Sequence, residues 1–274
     1  MTTSRMERVL ILAKTYPSPS AHYVETSCVA GITEHGSMRR LYPIPFRLIE
    51  DGQQFKKWQW IDVRVAKATA DRRPESHRVY VDTVVCGAQM DTRREWAERR
   101  SWLSKVPSFG SYAAMDADRL RESLSLALLR PARVIGLEIR PARYADWTDE
   151  EREKLAQAQM ELFSESEARQ DIKQLRKLPF DFYYHCEYDG SDDDLAYHHK
   201  IVDWEAGALY WNCFRQYGSD WERPFRAKLE GELIGKDLMF LMGNQHRFQD
   251  QWLIVSLIYP PRLPPMQSAQ GALF

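Results

Sequence analysis

Trp60-Ile61-Asp62-Val63-Arg64-Val65-Ala66 alternates apolar and polar side chains with a period of two. That is the pattern of a β-strand that buries one face and turns the other to water. The pattern returns at Val79, Val81 and Thr83, and strand-like runs of similar length occupy residues 9–14, 23–32 and 38–42. Turn-forming stretches separate them, at Pro17-Ser18-Pro19-Ser20, at Glu34-His35-Gly36-Ser37, at Glu50-Asp51-Gly52 and at residues 71–76. Five short, mainly sequential strands predict a small β-barrel or a curled antiparallel sheet, an architecture that often binds oligonucleotides.

From residue 91 the period lengthens. Residues 91–105 and 116–129 read as helices and 134–139 as a strand. At Trp147 a long helix is expected to open, because Thr148 and Glu151 have capping-box spacing. Ala156, Met160 and Phe163 give that helix one apolar stripe. Residues 180–188 read as a strand, 202–217 and 220–234 as helices, and 238–242 with 252–259 as a closing hairpin. The expected fold class is therefore α+β, an N-terminal small β-barrel or curled antiparallel sheet followed by a mixed helical and β half. The expected division is 1–90, a basic β-rich domain; 91–143, a helical connection plus strand; 144–259, an acidic α+β part; and 260–274, a Pro-rich flexible tail.

The 274 residues are 44% hydrophobic and include 9 Trp, 13 Tyr and 11 Phe, which excludes disorder as the main state. The longest apolar run near the start covers residues 9–13, and no stretch approaches the ~20 residues that span a bilayer, so a soluble intracellular protein is expected. Cys28, Cys86, Cys186 and Cys213 form no CxxC pair, which fits a reducing cytoplasm. Nucleophilic use of Cys28, Cys86 or Cys213 would need an activating histidine close in space. GxGxxG, GxxxxGK[ST], HExxH and GxSxG are all absent, which removes the dinucleotide, P-loop, zincin and α/β-hydrolase readings.

The net charge of −1 hides a separation. Residues 1–143 hold 24 Lys and Arg against 16 Asp and Glu, a balance of +8, and the remainder holds 14 against 23, a balance of −9. In the basic half the cations come in pairs set among aromatic residues. Arg39 and Arg40 precede Tyr42; Lys56 and Lys57 precede Trp58 and Trp60; Arg72 and Arg73 are followed by Arg78; and Arg93 and Arg94 lie just before Trp96. Cations neutralise phosphates and flat rings stack on unpaired bases, so this interleaving predicts a nucleic-acid surface.

The acidic half gathers His185, Cys186, Asp189, residues 192–194, His198, His199, Asp203 and Glu205. Imidazoles and carboxylates are suitable ligands for a divalent metal that could activate water against a phosphodiester. The candidates for such a centre are His185, His199 and Asp203. Adjacent His198 and His199 face opposite sides of a strand, so only one of them can join His185. Asp203-Trp204-Glu205 and Asp220-Trp221-Glu222 also read as helix starts, with Asp as N-cap and Glu in the first turn. Glu138-Ile139-Arg140 resembles a restriction-type nuclease signature without its lysine.

After residue 259 the composition turns to Pro260-Pro261-Arg262-Leu263-Pro264-Pro265, and the chain ends Gln270-Gly271-Ala272-Leu273-Phe274. A proline arm holds terminal hydrophobic residues away from a core. This ending resembles the Gln-x-x-Leu-Phe motif by which bacterial replication and repair proteins dock on the DNA sliding clamp. The resemblance implies Gln270 as polar anchor and Leu273 with Phe274 as apolar plugs; Gly271 departs from the commoner Leu. Together these readings predict a nucleic-acid-binding, DNA-associated protein of bacterial replication, repair or defence. The alternatives are a metal-dependent phosphodiester hydrolase and a non-enzymatic adaptor.

Overall fold

The structure, a computed structural model, describes residues 3–19, 25–45, 51–144, 146–151, 176–190 and 196–263. Five long strands build the N-terminal half: β1 (Ser4–Lys14), β3 (Glu25–Thr33), β4 (Met38–Ile44), β5 (Gln59–Lys67) and β6 (Ser76–Gln89). A short β2 (Ser18–Pro19) pairs with the start of β3. The order runs β1-β5-β6-β4-β3, and β3 returns to β1, so the sheet closes into a barrel. Every pairing is antiparallel except β4 with β6. Counting the five long strands alone, this is the Greek-key connectivity of the OB barrel. The expected alternation sets the two faces: Ile61, Val63 and Val65 point inward with Val9, Ile11, Val29, Leu41, Phe55 and Val79. Trp60, Asp62, Arg64 and Ala66 therefore point outward.

The second half is a seven-stranded sheet. Its elements are β7 (Ser108–Phe109), β8 (Leu126–Leu129), β9 (Arg133–Pro141), β10 (Phe180–Glu187), β11 (Tyr197–Ile201), β12 (Met239–Asn244) and β13 (Trp252–Ile258). They lie in the order β7-β8-β12-β13-β11-β10-β9. Leu126, Leu128, Met239, Leu241 and Val255 on one face pack against Leu10, Leu12, Ala30, Ile32 and Met38 on the barrel's outer wall. The opposite face packs under α2 (Tyr112–Glu122), α3 (Trp204–Tyr217) and the turns that follow α3, through Met115, Tyr210, Trp221, Phe225 and Leu229. The molecule is thus three layers, barrel on sheet on helices. Among the described residues no helix is long and apolar enough to cross a membrane.

The expected α+β class and the barrel are present. Several local expectations change. Residues 126–129 form a strand, not the end of a helix: α2 stops at Ser123, which is left-handed with φ 58°. Leu126-Ala127-Leu128-Leu129 is buried on both faces, between barrel and helices, so its apolar run shows no alternation and cannot be told from helix by period. In α1 (Arg93–Leu103) the first turn is distorted, with Arg94, Glu95 and Trp96 at positive φ. Residues 220–234 split into a 3-10 turn, a short α4 (Glu222–Arg226) and a π-helical stretch at Ala227–Leu233. Asp203 caps α3 through its side chain as expected, whereas Asp220 lies inside the 3-10 turn. The capping box at Thr148 and Glu151 forms, with each side chain bonded to the other's amide. The stripe Ala156, Met160 and Phe163 and the acids at 192–194 lie outside the described residues.

Candidate nucleic-acid interface

Oligonucleotides usually lie on the second and third strands of an OB barrel and on the loops after its first and fourth strands. Here those strands are β3 and β4, and their outer face is the wall on which the chain's own sheet packs. The cations predicted there serve that seam. Arg40 is 4% exposed, and its Nη2 donates to the Ser125 carbonyl at 2.8 Å and to Ser125 Oγ at 3.3 Å. Ser125 in turn donates its amide and its hydroxyl to the Glu75 carboxylate of the β5–β6 loop. Arg73, on the same loop, is buried; it chelates Asp71 and donates to the Asn244 carbonyl and side chain. The Arg73 bonds more than offset the cost of burial at Asp71 and hold its carboxyl well below the usual range.

Lys57 forms the third pin of the seam. Its Nζ donates to the Leu257 carbonyl at 2.7 Å and to Glu205 at 3.1 Å, with Asp203 at 3.8 Å. Burial works against its charge, but the Asp203 and Glu205 carboxylates outweigh it and keep the ammonium above the ordinary lysine range. Trp58 is buried beside it, edge-on to Trp96 and under the Arg99 guanidinium. Arg40, Lys57, Trp58 and Arg73 are therefore corrected from phosphate and base contacts to seam residues: a buried group that already has its partners cannot meet a solvated strand. Arg39 is mostly spent on Glu7, at 2.7 and 3.0 Å. Lys56, Arg72, Arg78, Arg93 and Arg94 are exposed, as is Tyr42 at 50%.

The barrel face that the sheet leaves uncovered is the outside of β5 and β6 with the N-terminal half of β1, up to Arg8; beyond it Leu10 and Leu12 turn to the sheet. Cross-strand register sets Met6 opposite Arg64 and Arg64 opposite Tyr80; Arg8 opposes Asp62, and Ala66 opposes Arg78. The Arg64 and Arg78 guanidinium groups lie 4.5 and 5.7 Å from the Tyr80 ring. Arg8 lies 5.5 Å from Trp60, Trp60 meets Trp102 of α1 edge-on at 4.9 Å, and Lys105 lies 3.6 Å over Trp102. Cation and ring thus alternate across one continuous face. Among the described residues Arg8, Arg64, Arg78 and Lys105 form no ion pair with a carboxylate, although Asp62 stands in the same row.

Only Trp60 and Arg78 of this band were legible in the cation pairs. Arg64 escapes because it is a single arginine within an alternating strand, where it reads as an ordinary solvent-facing residue, and Arg8 because it stands alone before the apolar run of residues 9–13. Tyr80, Trp102 and Lys105 escape because their cationic or aromatic neighbours come from other elements.

The metal candidates separate. His185 is in register with His198, and their rings stack at 4.1 Å on the exposed sheet face, where His198 Nδ1 lies 3.1 Å from Glu138. His199 points to the opposite, buried face. Asp203 lies past the end of β11 and accepts the Glu205 and Leu257 amides at 2.9 and 2.8 Å. His185, His199 and Asp203 therefore do not converge, and the metal reading built on them is corrected. Among the described residues no three His, Cys, Asp or Glu side chains are grouped to hold a metal ion. Burial raises the thiols of Cys86 and Cys213, the wrong direction for a nucleophile. Gln270, Leu273 and Phe274 lie outside the described residues.

Two family models match the chain. One, a domain of unknown function (DUF8758), covers residues 5–105, the barrel with α1. The other, a domain of unknown function (DUF8757), covers residues 110–274, the sheet and its helices. No curated protein matches. The second model spans more than half of the 274 residues, and the chain belongs to the DUF8757 family.

Proposed function

We propose that the protein binds nucleic acid, with DNA the expected partner, through the outer face of β1, β5 and β6. On this reading it works in the bacterial cytoplasm and is recruited to the DNA sliding clamp by Gln270, Leu273 and Phe274. The observation that carries the reading is the alternation of rings with cations that form no ion pair among the described residues: Arg78, Tyr80 and Arg64, then Arg8, Trp60, Trp102 and Lys105. Guanidinium groups without a carboxylate partner can displace counterions from phosphates, Arg8 and Arg78 from exposed positions and Arg64 from a half-buried one, and the rings beside them offer stacking surface that tolerates any base. The position also fits the fold, since the platform usual for this barrel is already taken by the chain's own sheet.

The test is a titration against fluorescent single- and double-stranded oligonucleotides at several salt concentrations. The wild type is compared with the triple variant Arg8→Ala, Arg64→Ala, Arg78→Ala. Binding should weaken steeply with salt, and the triple variant should flatten the slope of log affinity against log salt by roughly 2–3. No binding at low salt ends the reading and leaves a protein-binding adaptor. Removal of residues 270–274 should abolish capture by a purified bacterial clamp and leave oligonucleotide affinity unchanged; undiminished capture ends the recruitment part alone.

A further inference from the structure

The sheet of the second half comes apart at one place. β11 and β13 run parallel and share a single register pair, Ile201 with Ile254, closed by the Val202 amide donating to the Ile254 carbonyl at 2.9 Å. Toward their N-terminal ends the two strands pair no further, and a cavity of about 370 Å3 lies between residues 197–200 and 250–253. Side chains alternate along a strand, so Tyr197 and His199 reach the cavity from the helix face and His198 and Lys200 from the other. α2 covers the helix side. Its Tyr112 ring lies 4.6 Å from Tyr197 and 5.4 Å from His199, and its Asp116 accepts the Trp252 indole N–H at 3.0 Å.

His199 is 4% exposed, and its Nε2 has no hydrogen-bond partner among the described residues. Burial lowers its pKa to about 4, so near neutral pH the ring is uncharged, with one N–H to give and one lone pair to fill. A buried polar atom left unmet is rare and needs a reason. On the β11 side Lys200 pairs with Asp181 at 2.7 Å and His198 Nδ1 lies 3.1 Å from Glu138. What remains is mostly flat and neutral, the rings of Tyr112, Tyr183 and Tyr197 and the side-chain amides of Gln245 and Gln251, with the Asp250 carboxylate as one charged acceptor at the rim. Rings with a few fixed donors and acceptors select a planar polar ligand, able to give an N–H to a carboxylate, over an anion or an aliphatic chain.

We propose that this cavity binds a flat, hydrogen-bonding heterocycle of the nucleobase class, stacked against the tyrosines and met by His199. The inference goes beyond the phosphate-holding face and stands without it, because a free nucleoside carries no phosphate. The cavity also adjoins the barrel. Gln245 and Gln251 belong to the β12–β13 turn that begins at Asn244, and Asn244 receives Arg73 from the β5–β6 loop. Exposed Arg72 stands on that same loop.

The experiment titrates the full chain with adenosine, guanosine, cytidine and thymidine, following tryptophan fluorescence and the His199 ring resonances by NMR. At least one nucleoside should bind saturably, with Kd between about 10 μM and 1 mM, and shift the His199 signals. His199→Phe, which keeps a ring and removes both nitrogens, should weaken binding about tenfold or more while thermal stability holds or rises. Two results overturn the proposal: no saturable binding of any nucleoside, or binding that leaves the His199 resonances unmoved. The second needs no variant, so a poorly folding substitution does not blunt the test. Competition with single-stranded oligonucleotides then distinguishes the source. Displacement assigns the site to a base within a strand, and its absence to a free nucleoside-like molecule; either supports the chemistry proposed.

Discussion

Arg40, Lys57 and Arg73 at the seam, and Arg8, Arg64 and Arg78 on the open face, are alike in type: each is a cation of the basic half. In the structure they do opposite work. The seam cations are at most 9% exposed, and each donates to a backbone carbonyl of the other half. The face cations lie against rings and form no ion pair among the described residues. A buried cation is tolerated only when fully answered, so its surroundings are specialised for it alone. Arg8 and Arg78 are exposed and Arg64 half-buried, and a cation that still reaches solvent keeps its charge available. The lesson is that a motif of charge and ring identifies chemistry only after burial has been assigned.

The largest effect is expected at the seam. Lys57→Ala leaves Asp203 buried without its cation and should lower the free energy of unfolding by about 3–5 kcal/mol in chemical denaturation. A change within about 0.5 kcal/mol would place Lys57 with the surface cations instead.

His199 is a third kind of group, buried with its Nε2 unanswered among the described residues, and it sharpens the comparison through pH. Its folded pKa of about 4 lies below the unfolded value of 6.5, so the unfolded chain takes up a proton that the folded one refuses. Stability from this group is fully present above about pH 6.5 and falls as the pH drops toward 4, by about 3 kcal/mol in all. Denaturation across that window should show the fall in wild type. The His199→Phe variant should lack this component, and equal acid sensitivity in the two proteins would contradict the assignment.

On the open face, single changes should barely touch folding. Arg64→Ala should leave the melting temperature nearly unchanged and reduce the salt slope of oligonucleotide binding by roughly 1. Loss of stability without loss of binding would move Arg64 into the structural class. The smallest effect belongs to Lys105→Ala, about 0.5–1 kcal/mol in binding at low salt. It should vanish when Trp102 is also replaced, a double-mutant cycle that tests whether ring and ammonium act as one unit.

Much of the fold is readable in the sequence. The alternation of Ile61, Val63 and Val65 fixed which face of β5 lines the barrel, and the capping pair Thr148 and Glu151 marked a helix start. Residues 126–129 resisted because a strand covered on both sides loses the period that would identify it. The short strand Tyr197–Ile201 was missed for a different reason: its central residues are two histidines and a lysine, with no run of β-branched or aromatic side chains to mark it. For the interface, the cation pairs pointed to the basic half but mixed seam with surface.

By itself the sequence determined the α+β class, the barrel-forming strands, the opposed charge of the two halves and the Asp203 cap, because these depend on local period, composition and side chains close in the chain. Only the tertiary structure decided which cations are spent, that Arg8 and Trp102 share a face, and that His185 stacks on His198 while His199 turns inward. Those outcomes depend on which strands become neighbours. Strand pairing joins residues far apart in sequence, such as Arg40 with Ser125 and Lys57 with Leu257, and a partner at that separation leaves no local trace in the chain.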